Sequence, residues 1–407
     1  MGCKVNQYET AAIEAILNER GHVQGDNADV IIVNTCAVTA EAGRKSRQLI
    51  NRLKKENEGA IVAVCGCYSQ LCADDIDADI IFGTNDKHKF IEDIEKKAAE
   101  KCVDDPFRRY DFEYLPSGAV DGRTRALLKI QDGCVNFCTY CIIPYTRGRL
   151  RSLPVDDAVI ETKKLASAGF KELVLTGIEI ASYGVDLPGK PGLADVVCAC
   201  AEASGEMRIR LGSLEPTVIT EDFCKKLAES GKICRHFHLS LQSGCDNTLK
   251  AMNRKYTTAE FYEKTELLRR YFKGCAITCD LITGFPGETE EDFENTLSFI
   301  EKCAFSDMHI FPYSRRPGTP ADKMKNQCTR AVKSERSARA IKVSEKMHKE
   351  YLEQYIGKTV RVLLESNNRG HTDTYVLVKI DGDALRNEMA DVKILGLEGE
   401  TLYGTCI

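Results

Sequence analysis

Apolar positions along this chain follow three successive rhythms. Over the first hundred residues, short apolar runs alternate with helix-length amphipathic stretches. Asp29–Val33 (DVIIV), Ala60–Val64 (AIVAV) and Asp79–Phe82 (DIIF) read as buried strands, and about Thr39 to Glu56 and Lys87 to Glu100 read as helices. Strand–helix alternation predicts a parallel, doubly wound sheet, with ligands off the carboxyl ends of its strands. A helix begins near Asn6 with no strand before it, so this sheet is expected to lack its first strand.

A polar connector from about Lys101 to Gly122 separates the second rhythm. Six further strands are expected at Ala126–Gln131, Glu172–Thr176, Arg208–Gly212, His236–Leu241, Ala276–Ile282 and Asp307–Phe311, with helical patterns between them. Six βα units predict an open (β/α)6 barrel, whose chemistry belongs at the strand carboxyl ends. Arg330 to Ile356 reads as one charged helix. Beyond Gly357 come short alternating strands, at Val360–Glu365, Tyr375–Ile380, Ala390–Leu395 and Leu402–Cys406. Turns at Asn367-Asn368-Arg369-Gly370 and Asp381-Gly382-Asp383 fit a small antiparallel β-barrel. The expected organisation is therefore α/β: residues 1–104, a connector over 105–122, a barrel over 123–356 and a terminal β-barrel over 357–407.

Charge removes one class of function. Lys plus Arg total 56 against 61 Asp plus Glu, a net −5, so there is no general cationic coat and any RNA contact must be local. No apolar stretch reaches the ~20 residues of a membrane span, and the opening MGCKVNQYET lacks a signal-peptide core. These features point to a soluble, cytoplasmic protein.

Cysteine usage changes the picture more. There are 19, an odd number in a chain of 407 residues that has no need of disulfide staples, so they read as reduced thiols with a metal-binding subset. Cys134, Cys138 and Cys141 form a C-x3-C-x2-C triplet in QDGCVNFCTYC, directly after the first barrel strand. Structural zinc usually takes four protein ligands, often as two paired knuckles, and no second pair lies nearby. Three thiolates suit a 4Fe–4S cluster with one iron left open. Cys36 and Cys67 follow two strands of the first sheet at its ligand-binding edge, with Cys65 as a competitor to Cys67. The remaining cysteines read as small core residues.

The triplet, with an aromatic before its last cysteine, resembles the signature of radical S-adenosylmethionine enzymes. More narrowly, GCKVNQYE, NTCAVT, GCYSQ, CTYCIIPYTRGRLRS, SLEP, HLSLQSG, MNRKYT, GFPGET and FPYSRRPGTPA stand in the order found in the methylthiotransferases. The terminal NNRGHTDTYVLVKI resembles that family's TRAM domain. The resemblance implies two 4Fe–4S clusters. Cys134, Cys138 and Cys141 would hold the one that cleaves S-adenosylmethionine to a 5′-deoxyadenosyl radical, and Cys3, Cys36 and Cys67 the auxiliary one carrying the sulfur to be inserted. A low-potential electron donor and a sulfur donor are implied partners.

Candidate S-adenosylmethionine contacts at strand ends are Gly177, Glu179, Ser213, Glu215, Gln242 and Gly284, with Arg254 placed to meet its carboxylate. The opening CKVNQYET resembles the branch acting on N6-threonylcarbamoyladenosine in tRNA, with a methylthio group replacing hydrogen on carbon 2 of adenine. Candidate RNA contacts are Arg147, Arg149 and Arg151 after the cysteine loop, and Arg369, His371 and Tyr375 in the terminal barrel. Two alternatives remain: methylthiolation of a ribosomal-protein aspartate, and a non-catalytic metal-bearing RNA-binding protein.

Overall fold

The apolar runs of the first hundred residues become parallel strands β1 (Val30–Thr35), β2 (Ile61–Gly66) and β3 (Ile80–Phe82). A fourth, β4 (Glu100–Cys102), extends the sheet in the order β1-β2-β3-β4. The computed structural model describes residues 2–117, 124–366, 368–381 and 386–407. The first helices are α1 (Lys4–Glu19), α2 (Ala40–Glu56), α3 (Cys67–Cys72) and α4 (Lys87–Lys96). Helices α1 and α4 pack on the Ala63, Cys65, Ile80 and Phe82 face, and α2 and α3 on the Val33, Val62, Val64 and Ile81 face, so the sheet is covered on both sides. One boundary differs from expectation. Lys97 turns left-handed (φ 52°), which stops the helix expected to reach Glu100 and frees that segment to pair with β3.

All six expected barrel strands form: β5 (Arg125–Asp132), then, after the two-residue antiparallel β6 (Arg151–Ser152), β7 (Glu172–Gly177), β8 (Arg208–Leu211), β9 (His236–Gln242), β10 (Ala276–Thr283) and β11 (Asp307–Pro312). They lie in two sheets, β6-β5-β7-β8 and β9-β10-β11, and a bridge between Leu214 and Leu239 carries the wall across. Among the described residues β11 and β5 do not pair, so the barrel is open. The cysteine loop ends in the short α5 (Pro144–Arg147), and the outer layer comprises α6 (Val155–Ser167), α7 (Leu193–Ala203), α8 (Glu221–Glu229), α9 (Asp246–Ala251), α10 (Thr258–Tyr271), α11 (Glu290–Cys303) and α12 (Arg330–Glu353).

The terminal strands β12 (Thr359–Ser366), β13 (Arg369–Thr372), β14 (Leu377–Asp381), β15 (Met389–Glu398) and β16 (Thr401–Cys406) close a barrel in the order β12-β13-β14-β16-β15. Two expectations change. Arg369 and Gly370, expected in a turn, open the additional strand β13, where Gly370 lies so close to Leu363 that a side chain would strike its carbonyl oxygen. And β14 pairs parallel with β16, so the barrel is not wholly antiparallel. Residues 118–122 of the connector, Asn367, Gly382 and Asp383 lie outside the described residues. No described helix is long and apolar enough to cross a membrane.

This barrel is fastened beneath the central one. Arg208 donates to His371 O at 3.0 Å and Arg210 to Asp373 O at 3.0 Å, both arginines being ion-paired to the buried Glu172 at 2.6 Å. The Tyr375 ring lies between, 4.7 Å from His371, 5.2 Å from His236 and 4.8 Å from the Arg210 guanidinium. His371 also pairs with Glu365 at 3.1 Å. His371, expected to meet RNA, is thus engaged in the joint between barrels, whereas Tyr375 stacks there with part of its ring still exposed and Arg369 is exposed.

Candidate active site

The cysteine loop after β5 begins at Gly133, with φ +74° and the Arg149 carbonyl packed where a side chain would stand. Cys134 N–H then bonds Gly148 O at 3.0 Å, and Cys141 N–H bonds Cys138 O at 2.9 Å. A second loop clamps the first. Asn253 donates to the carbonyls of Asn136 and Phe137 at 3.2 and 3.1 Å, and Thr139 binds the carbonyls of Met252 and Ala251. Arg254, next in line, donates to Cys138 Sγ at 3.2 Å and pairs with Glu215 at 2.7 Å.

Burial pushes the thiols of Cys134 and Cys141 up to about 12, opposed by the backbone N–H groups of Asn136 and Ile143 aimed at their sulfurs. Donors already directed at these sulfurs favour thiolate, the form that ligates iron. Among the described residues, no three His, Cys, Asp or Glu side chains gather at a point for a single metal ion.

Around this loop the structure assembles part of the expected strand-end ring. Glu179 is near enough to raise the Cys134 thiol, and its charge also helps raise the Glu215 carboxyl. Burial raises both carboxyls, and Glu179 is held by Ala181 N–H at 3.1 Å and the Ser182 hydroxyl. Glu179 makes no ion pair among the described residues and suits the amino group of S-adenosylmethionine, with Glu215 beside it paired to Arg254. Gly177 closes β7 against Gln131, Gln242 ends β9 at φ +67°, and Ser213 is exposed after β8.

Two members do not fit their expected part. Arg254 is not free for a carboxylate, because Glu215 and Cys138 occupy its guanidinium. Gly284 faces α12, where Lys333 Cγ fills the space of a side chain at 2.5 Å, and its N–H is bonded to Glu288.

The second cysteine set is built across three elements. Cys3 caps α1, Cys36 follows β1 and Cys67 opens α3 directly after β2. Gly66 is required before Cys67: at φ +106° a side chain would meet Asn34 Oδ1 and Thr35 O at 2.5 Å. Ser46 of α2 bonds both the N–H and the carbonyl of Cys36 at 3.3 Å. Asn6 is the knot. It accepts from Cys3 Sγ at 3.3 Å and donates to Asn34 Oδ1 at 3.1 Å and Thr35 O at 2.9 Å. Cys65, the competitor, points into the apolar core against α1 and is fully buried.

A buried ionic cluster joins the two cysteine sets. Arg147 donates to Cys67 Sγ at 3.3 Å and Asn6 Oδ1 at 3.4 Å, and pairs with Glu9 at 3.0 Å and Asp132 at 3.3 Å. Lys129 binds the same two carboxylates, and Arg151 pairs with Asp132 at 3.4 Å. Arg147 and Arg151 are therefore interior residues and not RNA contacts; only Arg149 of that series is exposed. Sequence reasoning passed over Asn6, Glu9, Lys129 and Asp132. The signal was present: Cys3, Asn6 and Glu9 recur every three residues, placing polar groups on one helix face beside apolar Val5 and Tyr8.

An open six-stranded barrel with a cysteine triplet on the loop after its first strand defines a radical S-adenosylmethionine enzyme. Residues 128–300 match the family described as Radical SAM superfamily, and residues 1–83 match the one described as Uncharacterized protein family UPF0004. The chain is 39% identical to the threonylcarbamoyladenosine tRNA methylthiotransferase MtaB of Bacillus subtilis (strain 168), over 97% of this chain and 92% of that protein. It is 35% identical to the MtaB of Aquifex aeolicus (strain VF5), over 94% and 95%. It is also 35% identical to the tRNA-2-methylthio-N(6)-dimethylallyladenosine synthase of Alkaliphilus oremlandii (strain OhILAs), over 100% and 91%. Among solved structures, the radical S-adenosylmethionine methyltransferase TsrM of Kitasatospora setae shares the fold, with a TM-score of 0.56 at 14% identity over 77% of this chain and 71% of that one. The chain belongs to the methylthiotransferase family of radical S-adenosylmethionine enzymes. Its cofactors are accordingly S-adenosylmethionine and 4Fe–4S clusters.

Proposed function

We propose that this protein installs a methylthio group on carbon 2 of N6-threonylcarbamoyladenosine beside the tRNA anticodon. Cys134, Cys138 and Cys141 hold the cluster that receives S-adenosylmethionine; Cys3, Cys36 and Cys67 hold the auxiliary one. Glu179 meets the cofactor's amino group, with Glu215, held by Arg254, beside it. One S-adenosylmethionine would supply the radical that removes the carbon-2 hydrogen, and another would supply the methyl group. Exposed Arg149 and Arg369 meet phosphates, and the partners are tRNA, a low-potential electron donor and a sulfur donor, in the cytoplasm. The working units are residues 1–104, 123–356 and 357–407, joined through 105–122.

The observation that carries the choice of nucleoside is the barrel's inner wall. On β9 and β10, apolar Phe237, Leu239, Ile277 and Leu281 turn outward and His238, Thr278 and Asp280 inward, while Ile282 and the exposed Phe311 of β11 add apolar surface to the inner face nearer the strand ends. On the inner face His238 bonds Thr278 at 2.9 Å and pairs with Asp280 at 3.2 Å, with the exposed His309 ring 5.5 Å away. Lower down, Lys4, Arg125 and Arg210 line a cavity of ≈ 360 Å³. A threonylcarbamoyl group brings a hydroxyl, amides and a carboxylate that such a wall satisfies. A dimethylallyl group carries no hydrogen-bonding atom and would take water from these groups without replacing it, which costs about 1–3 kcal/mol for each polar group left short of a partner.

Mass spectrometry of nucleosides from tRNA, with the gene present and deleted, tests the proposal. Loss of the 2-methylthio-N6-threonylcarbamoyl nucleoside with accumulation of its parent is the expected result. Loss of the dimethylallyl product instead would overturn the choice of nucleoside. A change confined to ribosomal-protein masses would overturn the tRNA substrate.

A further inference from the structure

Arg316, in the loop after β11, is a buried guanidinium with no counter-ion among the described residues. Its Nε has no hydrogen-bond partner, and among the described residues it makes no ion pair, although it is only 9% exposed. Its place is unusual: it crosses from the central barrel into the first sheet's ligand edge, with Nη1 4.0 Å from where a side chain on Gly43 of α2 would begin. Gly43 itself abuts the ring of Tyr68, the residue after Cys67. The ionisable groups that face Arg316 are Cys72, Cys36 and Tyr68, with no carboxylate among them. An uncompensated buried charge costs several kcal/mol, so its retention calls for an anion that the protein chain does not supply.

A second observation points to the same spot from the opposite side. The ionic cluster around Arg147 sets two carboxylates, Glu9 and Asp132, against three cations, Lys129, Arg147 and Arg151. One positive charge is left over, and Arg147 is the member that touches Cys67 Sγ. Cys3, Cys36 and Cys67 therefore lie between an unpaired arginine and a cationic cluster.

We propose that Arg316 and Arg147 are positioning residues that flank the auxiliary iron–sulfur centre and compensate its negative charge, Arg316 from the barrel loop and Arg147 from the base of the cysteine loop. This rests on the assignment of the auxiliary cluster to Cys3, Cys36 and Cys67. An oxidised 4Fe–4S core with three thiolates is an anion, and a sulfur anion on its open iron adds to that charge. Charges at the sulfurs tune a cluster's potential. A positive group removed from beside it makes the added electron less welcome and lowers the potential.

The test uses the full chain carrying Cys134→Ala, Cys138→Ala and Cys141→Ala, so that only the auxiliary cluster forms. Iron content and the midpoint potential from an EPR-monitored titration are compared for Arg316, Arg316→Gln and Arg316→Lys. The expected result is a lower potential, or lost iron, in Arg316→Gln, with Arg316→Lys matching the parent in both. Arg316→Gln with full iron at an unchanged potential would overturn the inference, as would Arg316→Lys failing as far as Arg316→Gln. A parent with no cluster would overturn the auxiliary assignment, and this inference with it, while leaving the choice of nucleoside to the tRNA measurement.

Discussion

The two cysteine triplets solve the same problem in opposite ways. Cys134, Cys138 and Cys141 fall within eight residues on one loop, fixed at its base by Gly133 and clamped from above by Asn253. Cys3, Cys36 and Cys67 come from a helix cap and two strand ends, and only the tertiary fold brings them to one edge. A local triplet needs one loop conformation. The dispersed one needs a sheet, the Cys3 helix cap, the Gly66 turn and a partner domain, because Arg147 reaches Cys67 from the barrel. It follows that mutations in the fold's joints damage the second site more than the first.

The largest expected effect separates the triplets outright. Cys134→Ala abolishes S-adenosylmethionine cleavage and lowers iron from about eight to about four per chain, read by iron analysis and 5′-deoxyadenosine release. Cys67→Ala breaks the symmetry from the other side: iron falls by the same half and methylthiolation is lost, while S-adenosylmethionine cleavage persists. If both activities vanish together, the triplets do not work independently.

Next comes the joint between them. Glu9→Gln leaves Lys129, Arg147 and Arg151 facing a single carboxylate, and removal of one partner from a buried ionic set costs about 3–5 kcal/mol. Burial alone would raise the Glu9 carboxyl, but Arg147, Lys129 and Lys87 together hold it down at about 2. The unfolded chain, titrating near 4.5, takes up the proton first, so this contribution is complete above that value and is lost as pH falls toward about 2. Thermal melts across that range should show a steep acid loss in the parent and a flatter one in Glu9→Gln.

The smallest effect sharpens the choice between neighbouring cysteines. Cys65→Ala removes a small buried group from the α1 face of the sheet, so it should cost about 1 kcal/mol in a denaturant melt and leave the iron content unchanged. Loss of iron would move the auxiliary site from Cys67 to Cys65.

Legibility in the sequence followed the range of the interactions. Short apolar or alternating runs located all six central strands, because burial on one or both faces writes itself into neighbouring residues. The strand β13 was hidden in a run of turn-forming residues, since closure of the barrel, and not propensity, pairs Arg369–Thr372. Arg147 and Arg151 carried the charge of a surface patch, yet Asp132 and Glu9 draw them inside. His371 and Tyr375 resembled an RNA platform and instead stack at the joint between barrels.

What the sequence determined by itself was local: the strand and helix periods, the contiguous cysteine triplet and the glycines that let each loop approach its neighbours. Tertiary structure decided which of 19 cysteines share an edge, and which arginines face solvent. The physical reason is that a charge is placed by its counter-ion, and for Arg147 the counter-ion Glu9 lies 138 residues away in the chain.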